Sequence, residues 1–202
     1  MTNKGLLIVV SGPSGAGKGT ICKALVERNA KVSLSISATT RQPRAGEVDG
    51  ENYFFKSEQE FKDMIKNNEL MEWAGFCNHY YGTPKKNVED MLNEGIDVIL
   101  EIEVQGAMKI RSKYPEGVFV FVLPPSVEEL KNRIINRGTE SEEVINQRLQ
   151  TARIEFTHMD KYNYYLLNDV VEDAVYRLEA IITAEKCRME RNNELMREVC
   201  GL

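Results

Sequence analysis

One segment near the N-terminus restricts the choice of fold more than any other. Leu6–Val10 is an unbroken apolar run, the pattern of a strand buried on both faces. The loop Gly12-Pro13-Ser14-Gly15-Ala16-Gly17-Lys18-Gly19-Thr20 follows directly, and Thr20–Arg28 then carries Ile21, Ala24 and Leu25 at helical spacing. Strand, glycine loop and helix in that order let backbone N–H groups turn inward around an anion. The glycines permit the turn, and the start of the helix adds the positive end of its dipole. Lys18 stands where its ammonium group reaches the β- and γ-phosphates of a nucleoside triphosphate. Gly-x4-Gly-Lys arises by chance in on the order of one chain in a hundred or fewer. Its position between strand and helix leaves little weight for a mere turn bearing a solvated lysine. Gly19 departs from the pattern, because many such loops place a magnesium-binding hydroxyl there. Either Thr20 takes that role, or magnesium is held largely through waters.

The remaining apolar runs extend the same architecture. Asp97–Ile102 and Val118–Leu123 read as core strands, and Tyr164–Leu167 as a weaker one before Asn168-Asp169. Strands separated by helical segments imply a parallel sheet covered by helices on both faces. Two stretches interrupt the alternation. Residues from about 37 to 93 include Glu47–Phe55 and a helical Gln59–Asn67, too long for an ordinary connection, so they are expected to form an inserted subdomain. Ser126–Asp160 reads as two charged helices broken at Gly138, the second opened by a capping box, Thr139-Glu140-Ser141-Glu142. Val171–Val199 reads as one long amphipathic helix, with Val175, Leu178, Ile182 and Met189 near one face.

Composition excludes several functions. The 202 residues suit one domain with insertions, and the net charge of −5 gives no general footprint for nucleic acid. Cys22, Cys77, Cys187 and Cys200 are far apart, as are His79 and His158, so a zinc site is not expected and reduced thiols are. No cleavable signal and no membrane-length apolar stretch is present, which places the chain in the cytoplasm.

A second anion site is legible in Thr39-Thr40-Arg41-Gln42-Pro43-Arg44-Ala45-Gly46-Glu47-Val48-Asp49-Gly50-Glu51-Asn52-Tyr53-Phe54-Phe55. Two guanidinium groups three residues apart can fork onto the oxygens of a second phosphate. Taken singly, Arg41 or Arg44 is a surface charge; beside the glycine loop they describe a second phosphate subsite. This segment resembles the signature of guanylate kinases. The similarity continues through Glu72-Trp73-Ala74, Tyr80-Tyr81-Gly82-Thr83, Glu101–Gly106, Arg133–Glu140 and Asn168-Asp169, in family order from residue 5 to about 185.

The resemblance implies a three-layer P-loop kinase fold with a parallel core sheet, an inserted GMP-binding subdomain and a mobile lid. The core would comprise residues 1–36, 94–125 and 161–202, the insertion about 37–93 and the lid about 126–160. It also implies roles. Ser37, Arg41, Arg44, Tyr53 and Tyr81 match the surroundings of the GMP phosphate, and Glu72 with Thr83 matches the guanine-reading pair. Glu103 matches an acidic residue near the base and the catalytic centre. Arg133, Arg137 and Arg148 match lid arginines, and Asn168 an adenine contact. Lys18, Arg41, Arg137 and Arg148 would be the catalytic groups. Either of Glu101 and Glu103, where Asp is the commoner residue, could face magnesium-bound water.

Elementary chemistry supports part of this independently. Guanine presents N1–H and N2–H2 side by side, and one carboxylate can accept from both, whereas adenine lacks that donor pair. The implied reaction is MgATP + GMP ⇌ MgADP + GDP, with dGMP as an alternative acceptor and Mg2+ arriving on ATP. Neither nucleic acid nor membrane enters. Arg133 and Arg148 could instead pair with Glu129, Glu143 or Glu155 along the charged helices. Trp73 and Met71 suit packing better than stacking on a ligand. A catalytically lost interaction module and a sugar-phosphate kinase are the rivals; Lys18 argues against the first and Glu72 with Thr83 against the second.

Overall fold

The computed structural model describes residues 4–76, 78–135 and 142–201. Five strands form the main sheet: β1 (Leu7–Ser11), β2 (Val32–Leu34), β7 (Asp97–Glu101), β8 (Val118–Leu123) and β9 (Tyr164–Leu167), in the order β2-β7-β1-β8-β9. All their pairings are parallel. The apolar run of β1 lies at the centre and is buried on both faces. Ile8 and Val10 join a cluster with Ile21 and Leu25 of α1 (Lys18–Arg28) and with Leu178 and Ile182 of α7 (Val171–Lys186). Leu7 and Val9 point the other way, into a cluster with Val88 and Leu92 of α3 (Lys85–Asn93) and with Ala107 and Ile110 of α4 (Val104–Lys113). The period-two alternation of one strand thus builds both helix layers.

A second sheet, β4-β3-β6-β5, stands apart: β3 (Ala38–Thr39), β4 (Phe54–Phe55), β5 (Leu70–Phe76) and β6 (His79–Pro84). Helix α2 (Glu58–Lys66) covers it through Phe61, which packs with Ala38 and Leu70. Ser57 and Glu60 close a capping box at the start of α2. The helix following β6 does not belong to this layer, because the buried side chains of α3 serve the main sheet. Helices α5 (Val127–Ile135) and α6 (Glu142–Phe156) pack on each other through Leu130, Ile134 and Ala152. Gly138 and the capping-box residues 139–141 lie outside the described residues.

The C-terminal segment departs from the expected single helix. Helix α7 stops at Lys186, a 3-10 turn spans Met189–Arg191, and α8 (Asn193–Cys200) begins anew. Side chains terminate α7. The Asn192 amide donates to the carbonyls of Lys186 and Arg188 at 2.8 and 2.7 Å, which takes up acceptors that a continuing helix would use. Arg191 turns back onto the buried carboxylate of Glu185 at 2.8 Å. Met189 is therefore exposed rather than on the apolar face.

Asp97 fastens this region to the sheet. Its buried Oδ1 accepts from the Leu6 N–H at 3.0 Å, and its Oδ2 pairs with Lys186 Nζ at 2.6 Å. Removing it leaves a buried N–H without its acceptor. Asp97→Ala is expected to lower stability in urea denaturation by about 2–3 kcal/mol with ATP affinity unchanged; a loss below about 0.5 kcal/mol would contradict this anchoring role.

Candidate active site

The glycine loop connects β1 to α1, and its backbone needs glycine at particular points. Gly12, Gly15 and Gly17 have φ of 141°, 93° and 91°, conformations costly for other residues. At Gly17 space is short as well, since a Cβ there would lie 2.2 Å from the Asn168 amide nitrogen. That amide donates to the Ala16 carbonyl at 2.6 Å and so ties the loop to the end of β9. Lys18 is folded back on its own loop, donating to the carbonyls of Gly12 and Pro13 at 2.6 and 3.2 Å. Such an ammonium is held in place yet can exchange carbonyl partners for phosphate oxygens.

Beyond the loop lies a cleft of about 640 Å³. Ser14 and Lys18 line it from the loop, Ser37, Arg44, Tyr53, Glu72 and Tyr81 from the second sheet and its connections, Glu101 and Glu103 from the end of β7, and Arg148 from α6. Residues that are far apart in sequence and drawn from three regions therefore share one cavity. A more open, outer hollow against the loop is lined by Gly15, Gly17, Thr20, Arg133, Asn168 and Asp169.

Some expected groups are placed differently. Arg41 is outside the lining of the cleft, turned onto Glu47 at 2.8 Å and lying 5.3 Å over the Tyr53 ring. Thr83 does not line the cleft either; its hydroxyl donates to Glu72 Oε1 at 2.9 Å. Arg133 donates to Glu129 at 2.9 Å, the helix pairing foreseen as its alternative, and also to the Asn168 carbonyl at 3.2 Å. Arg137 lies outside the described residues. Met71 is core, whereas Trp73 is partly exposed, set edge-on to Tyr80.

Glu72 is the electrostatic centre of the cleft wall. It is only 5% exposed, and burial pushes its carboxyl above the usual range, opposed by the Thr83 hydrogen bond and by Lys109 and Lys113. A neighbouring glycine makes room for it, because a Cβ on Gly106 would lie 2.7 Å from Glu72 Oε2. Gly19 has a similar reason: its Cβ would lie 3.2–3.3 Å from both carboxylate oxygens of Glu101. The missing hydroxyl at position 19 is thus matched by a carboxylate approaching from β7. Thr20, the other candidate hydroxyl, is exposed and opens onto the outer hollow. Cys22 is buried beside this region, and burial raises its thiol, which makes it a poor nucleophile.

Sequence reasoning gave Glu155 of α6 only a surface pairing role. It is 8% exposed and faces Glu103, and burial followed by that neighbouring carboxylate raises it to about 7, against Lys18. Lys109 and Lys113 were not singled out, since what they bind is backbone and leaves no side-chain pattern.

A family model described as guanylate kinase matches residues 4–185. A guanylate kinase from Caldanaerobacter subterraneus subsp. tengcongensis is 63% identical over 95% of this chain and 93% of its own length. One from Halalkalibacterium halodurans is 57% identical over 93% and 92%. The crystal structure of guanylate kinase from Anaplasma phagocytophilum superposes with a TM-score of 0.79 at 32% identity, covering 97% of this chain and 95% of that one.

The Glu103–Glu155 contact has a pH signature. The folded-state pKa of Glu155 lies above its ordinary 4.5, so its contribution to stability is fully present below about 4.5 and lost as pH rises through about 7. Glu155→Gln, neutral at every pH, is expected to flatten the fall in melting temperature between about pH 5 and about pH 7.5. An unchanged pH slope would contradict the shift.

Proposed function

The chain belongs to the guanylate kinase family, enzymes that phosphorylate GMP at the expense of ATP, and from that premise we propose a seat for each substrate. The triphosphate lies in the loop Gly12–Thr20, with Lys18 moving from its carbonyl partners onto the phosphates. Its nucleoside end extends into the outer hollow beside Arg133 and Asn168. GMP occupies the cleft, with its phosphate toward Ser37, Arg44, Tyr53 and Tyr81 and its base against Glu72. The observation that carries this reading is a buried carboxylate that lines the cleft and accepts from the Thr83 hydroxyl on one of its oxygens.

The arrangement performs the reaction by placement. A GMP phosphate oxygen is already ionised at neutral pH, so attack on the γ-phosphorus needs no nucleophilic side chain. The residues hold the two phosphates in line and offset the negative charge that gathers between them. Lys18 supplies one cation there, Arg44 binds the acceptor phosphate, and Arg148 reaches in from α6. Arg41 joins them on exchanging Glu47 for phosphate, and Arg137 completes the set from the lid. Mg2+, carried on ATP, would withdraw charge from the β- and γ-oxygens. Glu101, poised over Gly19, fits an outer ligand through water, and a single carboxylate with phosphate oxygens is an ordinary magnesium environment.

With groups contributed by the core, the inserted sheet and α6, both flanking units close when both substrates are bound. The acceptor range includes dGMP. Among the described residues no helix is long and apolar enough to cross a membrane. The similarity to bacterial guanylate kinases supports a place of work in the cytoplasm.

Two substitutions test the two ends separately. Lys18→Ala is expected to lower kcat by at least about two orders of magnitude with the fold intact. Glu72→Gln turns an amide N–H2 toward a guanine donor. It is expected to lower kcat/KM for GMP by about a hundredfold or more, to cost IMP less, and to leave the KM for ATP nearly unchanged. Equal losses for GMP and IMP would remove Glu72 from base reading.

A further inference from the structure

Strand β5 is irregular where it carries Glu72. Leu70 pairs with Pro84 and Trp73 with Gly82, so Met71 and Glu72 together oppose the single residue Thr83. Such a bulge re-aims a side chain and leaves backbone groups without ladder partners. Two lysines of α4 supply donors here. Lys113 Nζ donates to the Met71 carbonyl at 2.8 Å, and Lys109 Nζ donates to the Trp73 carbonyl while lying 5.0 Å from the centre of the Trp73 ring. These two carbonyls flank Glu72 in the chain. Gly106, one helical turn before Lys109, is the residue that clears space for the carboxylate. The adjoining face of α4, through Ala107 and Ile110, is fixed in the core of the main sheet. One helix therefore joins the rigid core to the strand that carries the base-facing group.

We propose that Lys109 and Lys113 are specificity-determining positioning residues, whose ammonium groups pin the β5 bulge so that the Glu72 carboxylate faces the purine edge. The proposal rests on the assignment of Glu72 to guanine. Neither lysine touches substrate; each acts through the strand. Their charge serves the same end, since among the described residues the groups favouring ionised Glu72 are Thr83 of β6 and these two lysines. Without them the bulge can relax along the strand, and the carboxylate loses both its aim and part of its electrostatic support.

The test compares kcat/KM for GMP and for IMP, with MgATP as donor, in the parent, Lys109→Met/Lys113→Met, Lys109→Arg/Lys113→Arg and Glu72→Gln. The methionine pair is expected to reduce the GMP:IMP ratio by about tenfold, mostly through KM for GMP. Its KM for MgATP stays at the parent value, and the acid limb of its GMP profile moves to higher pH. The arginine pair, which keeps charge and donors, is expected to hold the ratio within about twofold. If the methionine pair does not fold, Lys113→Met alone is expected to lower the ratio by about threefold. An unchanged ratio in the methionine variants, while Glu72→Gln collapses it, overturns the positioning role and leaves the base reading intact. Equal losses on both acceptors also overturn it, as expected of lysines that serve only stability. A Glu72→Gln enzyme that keeps the parent's ratio overturns the base reading, and this proposal with it.

Discussion

A carboxylate sealed into a cleft wall is the constraint around which this molecule is arranged. Burying a charge is costly unless hydrogen bonds and opposite charge offset the loss of water. At Glu72 they do so only in part: Thr83 donates from its hydroxyl and its backbone, two lysines lend positive charge, and burial still holds the carboxyl above its ordinary range. A site in that condition gains from a ligand that brings two adjacent N–H groups. It gains nothing comparable from one that presents an acceptor at the same place, because the buried oxygens would then face a lone pair. On the proposed reading, selectivity for guanine is rooted in desolvation, and Gly106 is what leaves room for the carboxylate to be packed so closely.

The phosphate end follows a different logic. There the charges belong to the ligands, and the protein supplies backbone N–H groups, Lys18 and arginines that have local partners in the absence of substrate. Lys18 rests on loop carbonyls, Arg41 on Glu47 and Arg133 on Glu129. These partners keep the cations near the place of need until phosphate oxygens replace them. Glu103 and Glu155 are the counterweight: two carboxyl groups in contact, one from the core and one from α6. Burial and this contact hold the Glu155 carboxyl at about 7, so the packing of α6 there depends on pH.

Much of this was legible in the amino-acid sequence because the relevant signals are local. The β1–loop–α1 unit follows from five apolar residues and three glycines, and the core strands β7 and β8 from apolar runs with no alternative environment. The second sheet was visible only as an overlong connection, because strands of two residues such as β3 and β4 carry no periodicity. The end of α7 was missed because Asn192 and Arg191 terminate it through side chains, where no glycine or proline marks the stop. In the cleft, the residue types pointed to two phosphate subsites and a base-facing carboxylate but not to present contacts. Arg41 reads as a phosphate ligand, yet its nearest acid is six residues away and holds it. Lys109 and Lys113 look like ordinary surface lysines, because backbone acceptors leave no trace in sequence.

The central claim is that Glu72 meets guanine as a carboxylate whose proton affinity falls when the base arrives. Calorimetry of GMP binding at about pH 5, in buffers of different ionisation enthalpy, measures that directly through the protons exchanged. The phosphate of GMP contributes equally to parent and Glu72→Gln protein, so the difference between them isolates this one group. The account predicts that the parent releases more protons on binding than the variant does. Equal release by the two proteins, with binding confirmed in both, would contradict it.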